Sequence, residues 1–143
     1  MMPTDPLVLE AQLCFSLYSG ERTVGAAYRE LLAPLGLTYP QYLVMLVLWE
    51  DDGQPVSALG RRLGLDSGTL SPLLKRLEAA GRITRRRSDG DERVVRVHLT
   101  DDGAALRADA VSIPGHLASR MPLTAAETGE LRRLLGKMCG HDA

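Results

Sequence analysis

The sequence predicts a mainly α-helical chain with one small β-hairpin, and three observations lead there. Apolar residues recur at three- and four-residue spacing along most of the chain. Ser, Thr or Asp stands ahead of several of these runs at helix-capping positions, and Gly or Pro closes them. Residues 82–99 break the helical period with two Arg- and Val-rich runs around Ser88-Asp89-Gly90-Asp91-Glu92. With 143 residues, 45% apolar and 24% charged, the chain can bury one real core, so 1–143 is expected to be a single domain. Intrinsic disorder and fibrous architectures are excluded on the same grounds.

From Pro6 to about Leu32, Leu9, Leu13, Leu17, Val24, Tyr28, Leu31 and Leu32 follow the pattern of a long amphipathic helix, weakened at Gly20 and Gly25. Ala33-Pro34-Leu35-Gly36 breaks it, and Thr38-Tyr39-Pro40-Gln41 opens a second helix with a capping box. That helix, to about Glu50, is apolar almost all round and should lie at the centre of the core. Ser57 is expected to cap a short helix, Ala58 to Leu63, and Asp66 a longer one through Ala80, stopped by Gly81. Two helices joined by a short Gly-containing turn form a helix-turn-helix composition. Strands at 82–87 and 93–99 follow, and Thr100 caps a helix to about Val111. Pro114-Gly115 and Pro122 should interrupt the next stretch, before Thr124 and Glu127 box the start of a final helix to about Met138. This order describes a winged helix-turn-helix at 38–100, with its wing at 83–99. The flanking helices, 6–35 and 104–143, carry apolar faces with no obvious partner in so small a domain. A homodimer built from the two ends of the chain would cover them.

The net charge of −1 hides an asymmetry. Lys and Arg number 2 against 7 Asp and Glu in residues 1–60, 10 against 5 in 61–100, and 5 against 6 in 101–143. A basic block between acidic neighbours points to a localised polyanion-binding surface, and its helix-turn-helix setting makes double-stranded DNA the expected partner. Ser67, Gly68, Thr69 and Ser71 occupy the first turn and a half of the second helix, where amides and short hydroxyls can approach phosphates and base edges. Lys75 and Arg76 follow, the hairpin adds Arg85, Arg86 and Arg87, and Asp91 stands beside Arg93 at the tip. An arginine held there by a carboxylate has the reach to enter a minor groove. The alternative is a merely solvated charged face, against which stands the concentration of arginines in a hairpin directly after the helix-turn-helix.

No phosphate-binding glycine loop or nucleophile elbow is present, and His98, His116 and His141 are isolated, so neither a cofactor nor a metal site is expected. Asp51-Asp52 and Asp101-Asp102 fall at turns and caps. The first residues lack the pattern of a secretory signal, and the longest near-continuous apolar run, Tyr42 to Trp49, is less than half of the roughly 20 residues a membrane span needs. A cytoplasmic protein with no membrane partner is expected, and its two cysteines, Cys14 and Cys139, form no CxxC pair. By its residues alone Cys14 is either a small buried hydrophobe or a reactive thiol supported by hydroxyl donors such as Tyr18, Tyr28 and Tyr39. Cys139 is either a resolving thiol or a surface residue.

Several segments resemble one known family. They are Leu13-Cys14-Phe15-Ser16-Leu17-Tyr18, Leu37-Thr38-Tyr39-Pro40-Gln41-Tyr42-Leu43, Leu48-Trp49-Glu50, and Leu65 through Glu78 with its Asp66-Ser67-Gly68-Thr69-Leu70-Ser71-Pro72 start. Together they are similar to the organic-hydroperoxide-sensing repressors of the MarR family, over about residues 10 to 115. The wing segment, Asp91-Glu92-Arg93 through Leu99-Thr100-Asp101-Asp102-Gly103, is similar to the general MarR pattern. The resemblance implies a dimeric repressor, not an enzyme, whose N-terminal cysteine is oxidised by organic hydroperoxides to a sulfenic acid, after which DNA is released. It places Cys14 at the sensing position. Tyr28 and Tyr39 match tyrosines that contact the sulfur from the partner subunit, and Tyr18 matches a third near the site. Cys139 lies later than the second cysteine that some members carry, so capping of oxidised Cys14 by Cys139, capping by a small cellular thiol, and overoxidation all stay open. Two rivals stand beside this reading. One is a MarR-like repressor released by a small aromatic ligand, with Cys14 inert. The other is a thiol peroxidase, which would have no use for the basic hairpin.

Overall fold

Helix α1, Leu13–Leu32, runs without a break through Gly20 and Gly25. It starts later than the expected Pro6. Leu9–Ala11 form a separate 3-10 turn, and the Gln12 side chain folds back to donate to the carbonyls of Pro6 (2.7 Å) and Val8 (3.0 Å). The computed structural model describes residues 5–88 and 90–141, with 91 and 92 by backbone alone. The expected contact of the Asp91 carboxylate with Arg93 therefore lies outside the described residues. A second 3-10 turn, Ala33–Leu35, closes on Gly36, whose φ of 68° suits glycine.

Helix α2, Tyr39–Glu50, opens with the expected capping box: the Gln41 N–H donates to the Thr38 hydroxyl (3.3 Å), and Gln41 Oε1 accepts the Thr38 N–H (3.0 Å). It buries Tyr42, Val44, Met45, Val47 and Leu48, as its all-round apolar sequence predicts. A two-residue strand that the sequence did not announce, β1 (Gln54–Pro55), leads into α3, Val56–Leu63. Ser57 therefore lies inside the first turn of α3 rather than capping it. Pairing of Gln54 and Pro55 with a later strand sets the entry, and Pro55 takes the cap position. Gly60 sits where a Cβ would come within 2.9 Å of the Leu65 carbonyl, so the turn can fold tightly onto α3. After Gly64, at φ 67°, Asp66 caps α4, Ser67–Ala79.

The wing comprises β2 (Ile83–Ser88) and β3 (Asp91–Leu99), and with β1 it makes an antiparallel sheet in the order β1-β3-β2. Register runs from Ile83 opposite Leu99 to Arg87 opposite Val95, with an irregularity between Arg87 and Ser88. Buried Ile83 and Val97 anchor the sheet on the leucines of α3 and α4. Thr100 then caps α5, Asp101–Ala110, accepting from the Gly103 N–H (3.0 Å) while its hydroxyl donates to the Gly81 carbonyl (2.6 Å). A Cβ at Gly103 would stand 2.0 Å from the Arg82 carbonyl, and the Gly103 carbonyl accepts the Trp49 indole N–H (2.9 Å). Glycine here is what lets α5 sit against the base of the wing and against α2.

The chain divides into two compact units, Met1–Val111 and Ser112–Ala143. The second holds α6, Ile113–Arg120, and α7, Ala125–Met138. Pro114 was expected to interrupt this stretch. It stands instead in the first turn of α6, where its missing N–H has no intrahelical partner to lose. Thr124 and Glu127 form the expected capping box of α7. Among the described residues no single helix is long and apolar enough to cross a membrane, and no three His, Cys, Asp or Glu residues cluster as a metal site would require.

Candidate functional site

Helix α4 has two faces. Leu70, Leu73, Leu74 and Leu77 are buried, and Ser67, Gly68, Thr69, Ser71, Lys75 and Arg76 are all exposed on the other side. The four leucines repeat at helical spacing, so packing them inward necessarily turns the polar set out. Asp66 completes the helix start: its Oδ1 accepts the Thr69 N–H (2.8 Å). That bond, with a further one from the Thr69 side chain, holds the Asp66 carboxyl below the usual carboxylate range.

The three wing arginines part company. Arg86 and Arg87 are exposed, Arg86 facing Arg96 across the sheet and Arg96 Nη1 donating to the Gly53 carbonyl (3.0 Å). Arg85 is half-buried and turns back onto α4. Its backbone N–H donates to Glu78 Oε2 (2.8 Å), and its Nε and Nη2 donate to Oε1 (3.3 and 3.1 Å). These bonds, the backbone one first, hold the Glu78 carboxyl below the usual range. The sequence reading missed Glu78; a carboxylate seven residues before an arginine, across a helix-to-strand turn, is the signal that could have found it. Between the helix-turn-helix and the wing lies a groove of about 300 Å³ lined by Ser57, Ser71, Leu74, Arg85 and Arg93. Hydroxyls, guanidinium groups and an exposed helix face thus share one side of the chain, a surface suited to a phosphate backbone and base edges.

The sensor residues are dispersed. Cys14 is the second residue of α1 and is exposed, so within one chain it is not the buried hydrophobe that one reading expected. Its helical neighbours are exposed too: Leu13 at 65%, Phe15 at 40% and Tyr18 at 58%, the last with the Arg22 guanidinium 5.5 Å from its ring centre. Fourteen residues further on, about 21 Å along the helix axis, Tyr28 packs against Tyr39 (ring centres 4.5 Å apart) and Tyr42 (5.8 Å), and Tyr42 meets Trp49 edge-on. Burial first, then the neighbouring phenols Tyr39 and Tyr42, push Tyr28 up to about 12. Burial likewise raises Tyr39, and burial with Tyr39 raises Tyr42. All three phenols therefore stay protonated near neutral pH and can act as hydrogen-bond donors. The structure brings Tyr28 and Tyr39 together and keeps Cys14 and Tyr18 away from them. Cys139 is exposed at the C-terminal end of α7.

Comparison with known proteins settles the family. Residues 26–109 match the family model described as transcriptional regulator SarA/Rot. Over 92% of its length the chain is 47% identical to the organic hydroperoxide resistance transcriptional regulator of Bacillus subtilis (strain 168), covering 89% of that protein. The chain belongs to the MarR/SarA family of transcriptional regulators. It is also 48% identical, over 94% of its length and 69% of the relative's, to the HTH-type transcriptional regulator TtmR of Methylorubrum extorquens (strain PA1). Among solved structures it is similar to reduced AbfR bound to DNA, from Staphylococcus epidermidis, with a TM-score of 0.79 and 36% identity over 96% of this chain and 94% of that one. The family consists of transcriptional regulators rather than enzymes, and the chain is a DNA-binding transcriptional regulator of that family.

Proposed function

We propose that the protein is a redox-sensing repressor, a homodimer that holds operator DNA until an organic hydroperoxide oxidises Cys14. The observation that carries this is the place of Cys14: exposed at the start of α1, among exposed apolar side chains, and about 21 Å along the helix from Tyr28 of its own chain. A second copy covers the apolar face and brings its Tyr28 and Tyr39 to the sulfur, with Tyr18 at the edge. Protonated phenols then donate to the sulfur, and the surround of Leu13, Phe15 and Leu17 favours lipophilic peroxides. The Cys14 thiolate attacks the terminal peroxide oxygen. An S–O bond forms, the O–O bond breaks, and the alkoxide takes a proton and leaves as an alcohol. The sulfur is thereby oxidised by two electrons to a sulfenic acid. Condensation with a thiol, either Cys139 or a small cellular one, releases water and leaves a disulfide.

In the reduced dimer, one α4 per subunit enters the major groove through Ser67, Gly68, Thr69, Ser71, Lys75 and Arg76, and the wing with Arg86, Arg87 and Arg93 follows the flanking minor groove. Oxygen or a disulfide at Cys14 disturbs a site made by both subunits and changes the spacing of the two α4 helices. A hundredfold loss of DNA affinity requires only about 2.7 kcal/mol of differential stability between the two states. The regulator acts in the cytoplasm.

The test is a DNA-binding titration on the gene's upstream region with reduced protein, with cumene-hydroperoxide-treated protein, and with Cys14→Ser treated identically. Treatment should weaken the native protein by about a hundredfold and leave the variant bound. Release of both, or of neither, removes Cys14 from the mechanism, and a small aromatic ligand becomes the inducer to test.

A further inference from the structure

A carboxylate on a DNA-reading face is out of place on electrostatic grounds, since it repels phosphate. Glu78 stands near the end of α4, one position beyond buried Leu77, and its two oxygens accept three hydrogen bonds from Arg85. Arg85 lies midway along β2, which the order β1-β3-β2 makes an edge strand. One of the three donors is a backbone N–H, so Glu78 occupies a hydrogen-bonding position on the open edge of the sheet as well as pairing with a guanidinium. The base of the wing is fixed by Ile83 and by Thr100 on the Gly81 carbonyl. Beyond Arg85 the strand extends about 10 Å to Ser88, carrying Arg86 and Arg87. Small changes of angle at Arg85 are therefore magnified where the wing meets DNA.

We infer that Glu78 is a positioning residue for DNA binding: through Arg85 it sets the angle between α4 and the wing, so that both engage one operator together. Arg85 is then part of this brace rather than one of the wing's DNA contacts. The inference rests on the DNA-binding role of the α4 and wing surface and adds a residue to it that touches no DNA. A bare surface carboxylate and a brace predict opposite signs. Relief of repulsion would make Glu78→Ala bind DNA more tightly, whereas loss of the brace makes it bind more weakly.

The experiment uses the full-length protein and two duplexes: the footprinted operator, and the same operator with the outer base pairs under the wings removed. Removal should cost the wild type about tenfold in affinity, the scale of a few lost backbone and groove contacts. Glu78→Ala should bind the full duplex about tenfold more weakly than wild type and lose no more than about twofold on truncation, because its wings no longer engage. Glu78→Gln, which keeps an acceptor for the Arg85 N–H, should fall between the two. The double variant Glu78→Ala/Arg85→Ala should be no weaker than Glu78→Ala, since both changes remove one device. Tighter binding by Glu78→Ala, an undiminished truncation penalty, or additive losses in the double variant overturn the brace while leaving DNA binding intact. Failure of the wild type to bind either duplex overturns both. A uniform loss on both duplexes, with the truncation penalty kept, assigns Glu78 to stability alone and also overturns the brace.

Discussion

Helix α4 buries four leucines within its own chain, whereas α7, one residue longer, buries none. Both carry leucines at helical spacing, so the difference is not one of composition. Leu131 and Leu134 of α7 are 46% and 47% exposed, and α1 likewise leaves Leu13, Phe15 and Tyr18 in solvent. The half proposed to read DNA is complete in one chain: α3, α4 and the wing pack on one another, with their own caps and the Glu78–Arg85 pair. The half proposed to sense has Cys14 near one end of α1 and Tyr28, packed on Tyr39, near the other, and would be complete only in the proposed dimer. Apolar surface of this kind on a small regulator marks an interaction site.

The largest expected effect breaks this contrast at α7. The double change Leu131→Asp/Leu134→Asp puts charge on two leucines that are about half exposed, on a helix with no buried residue, so each chain should still fold. Sedimentation should show monomers, and DNA affinity should drop about a thousandfold, because two linked reading heads become two separate ones. A dimer that survives with full affinity would move the interface elsewhere. Leu77→Ala probes the opposite side of the comparison. Leu77 is fully buried in α4, and its loss should destabilise the fold by about 3 kcal/mol. Thermal melts should show that loss to the same extent at every protein concentration, a signature the α7 variant must not share.

The smallest effect sharpens the boundary between the two halves, at the aromatic cluster where α1 meets α2. Tyr28 is raised in the folded protein from 10.0 to about 12 by burial and by Tyr39 and Tyr42. The unfolded chain therefore loses this proton first. Its contribution to stability is fully present below pH 10 and is lost as pH rises through about 12. Ultraviolet titration of the four tyrosines should find one ionising near pH 12, and Tyr28→Phe should remove that step. Ionisation of Tyr28 near 10 would mean that water reaches the cluster and that burial does not raise this phenol.

Much of this was legible before any coordinates. The Thr38 and Thr124 capping boxes, the Asp66 cap and the Gly81 stop rest on bonds within a few residues, and each was found where its spacing said. Features made by distant partners were not. The two-residue β1 exists only because Gln54 and Pro55 pair with Val97 and Arg96, and that pairing moved the start of α3 ahead of Ser57. Helix α6 was hidden because Pro114 signals a break in a helix interior but a start in a first turn. The candidate site divides in the same way. The exposed residues of α4 followed from their spacing, but Arg85 facing Glu78 did not, since the seven-residue spacing becomes a contact only once the turn after α4 folds β2 back onto the helix.

By itself the sequence determined the period of the helices, their caps, the basic block and the identity of the thiol and phenols, because these depend on neighbours along the chain. Only the tertiary structure decided which leucines are covered, which arginine is withdrawn from the surface, and that Cys14 cannot meet Tyr28 and Tyr39 within one chain. The reason for the last is geometric. Tyr39 and Tyr42 sit on α2, and the packing of α2 against α1 at Tyr28 gathers the phenols at the end of α1 away from the thiol.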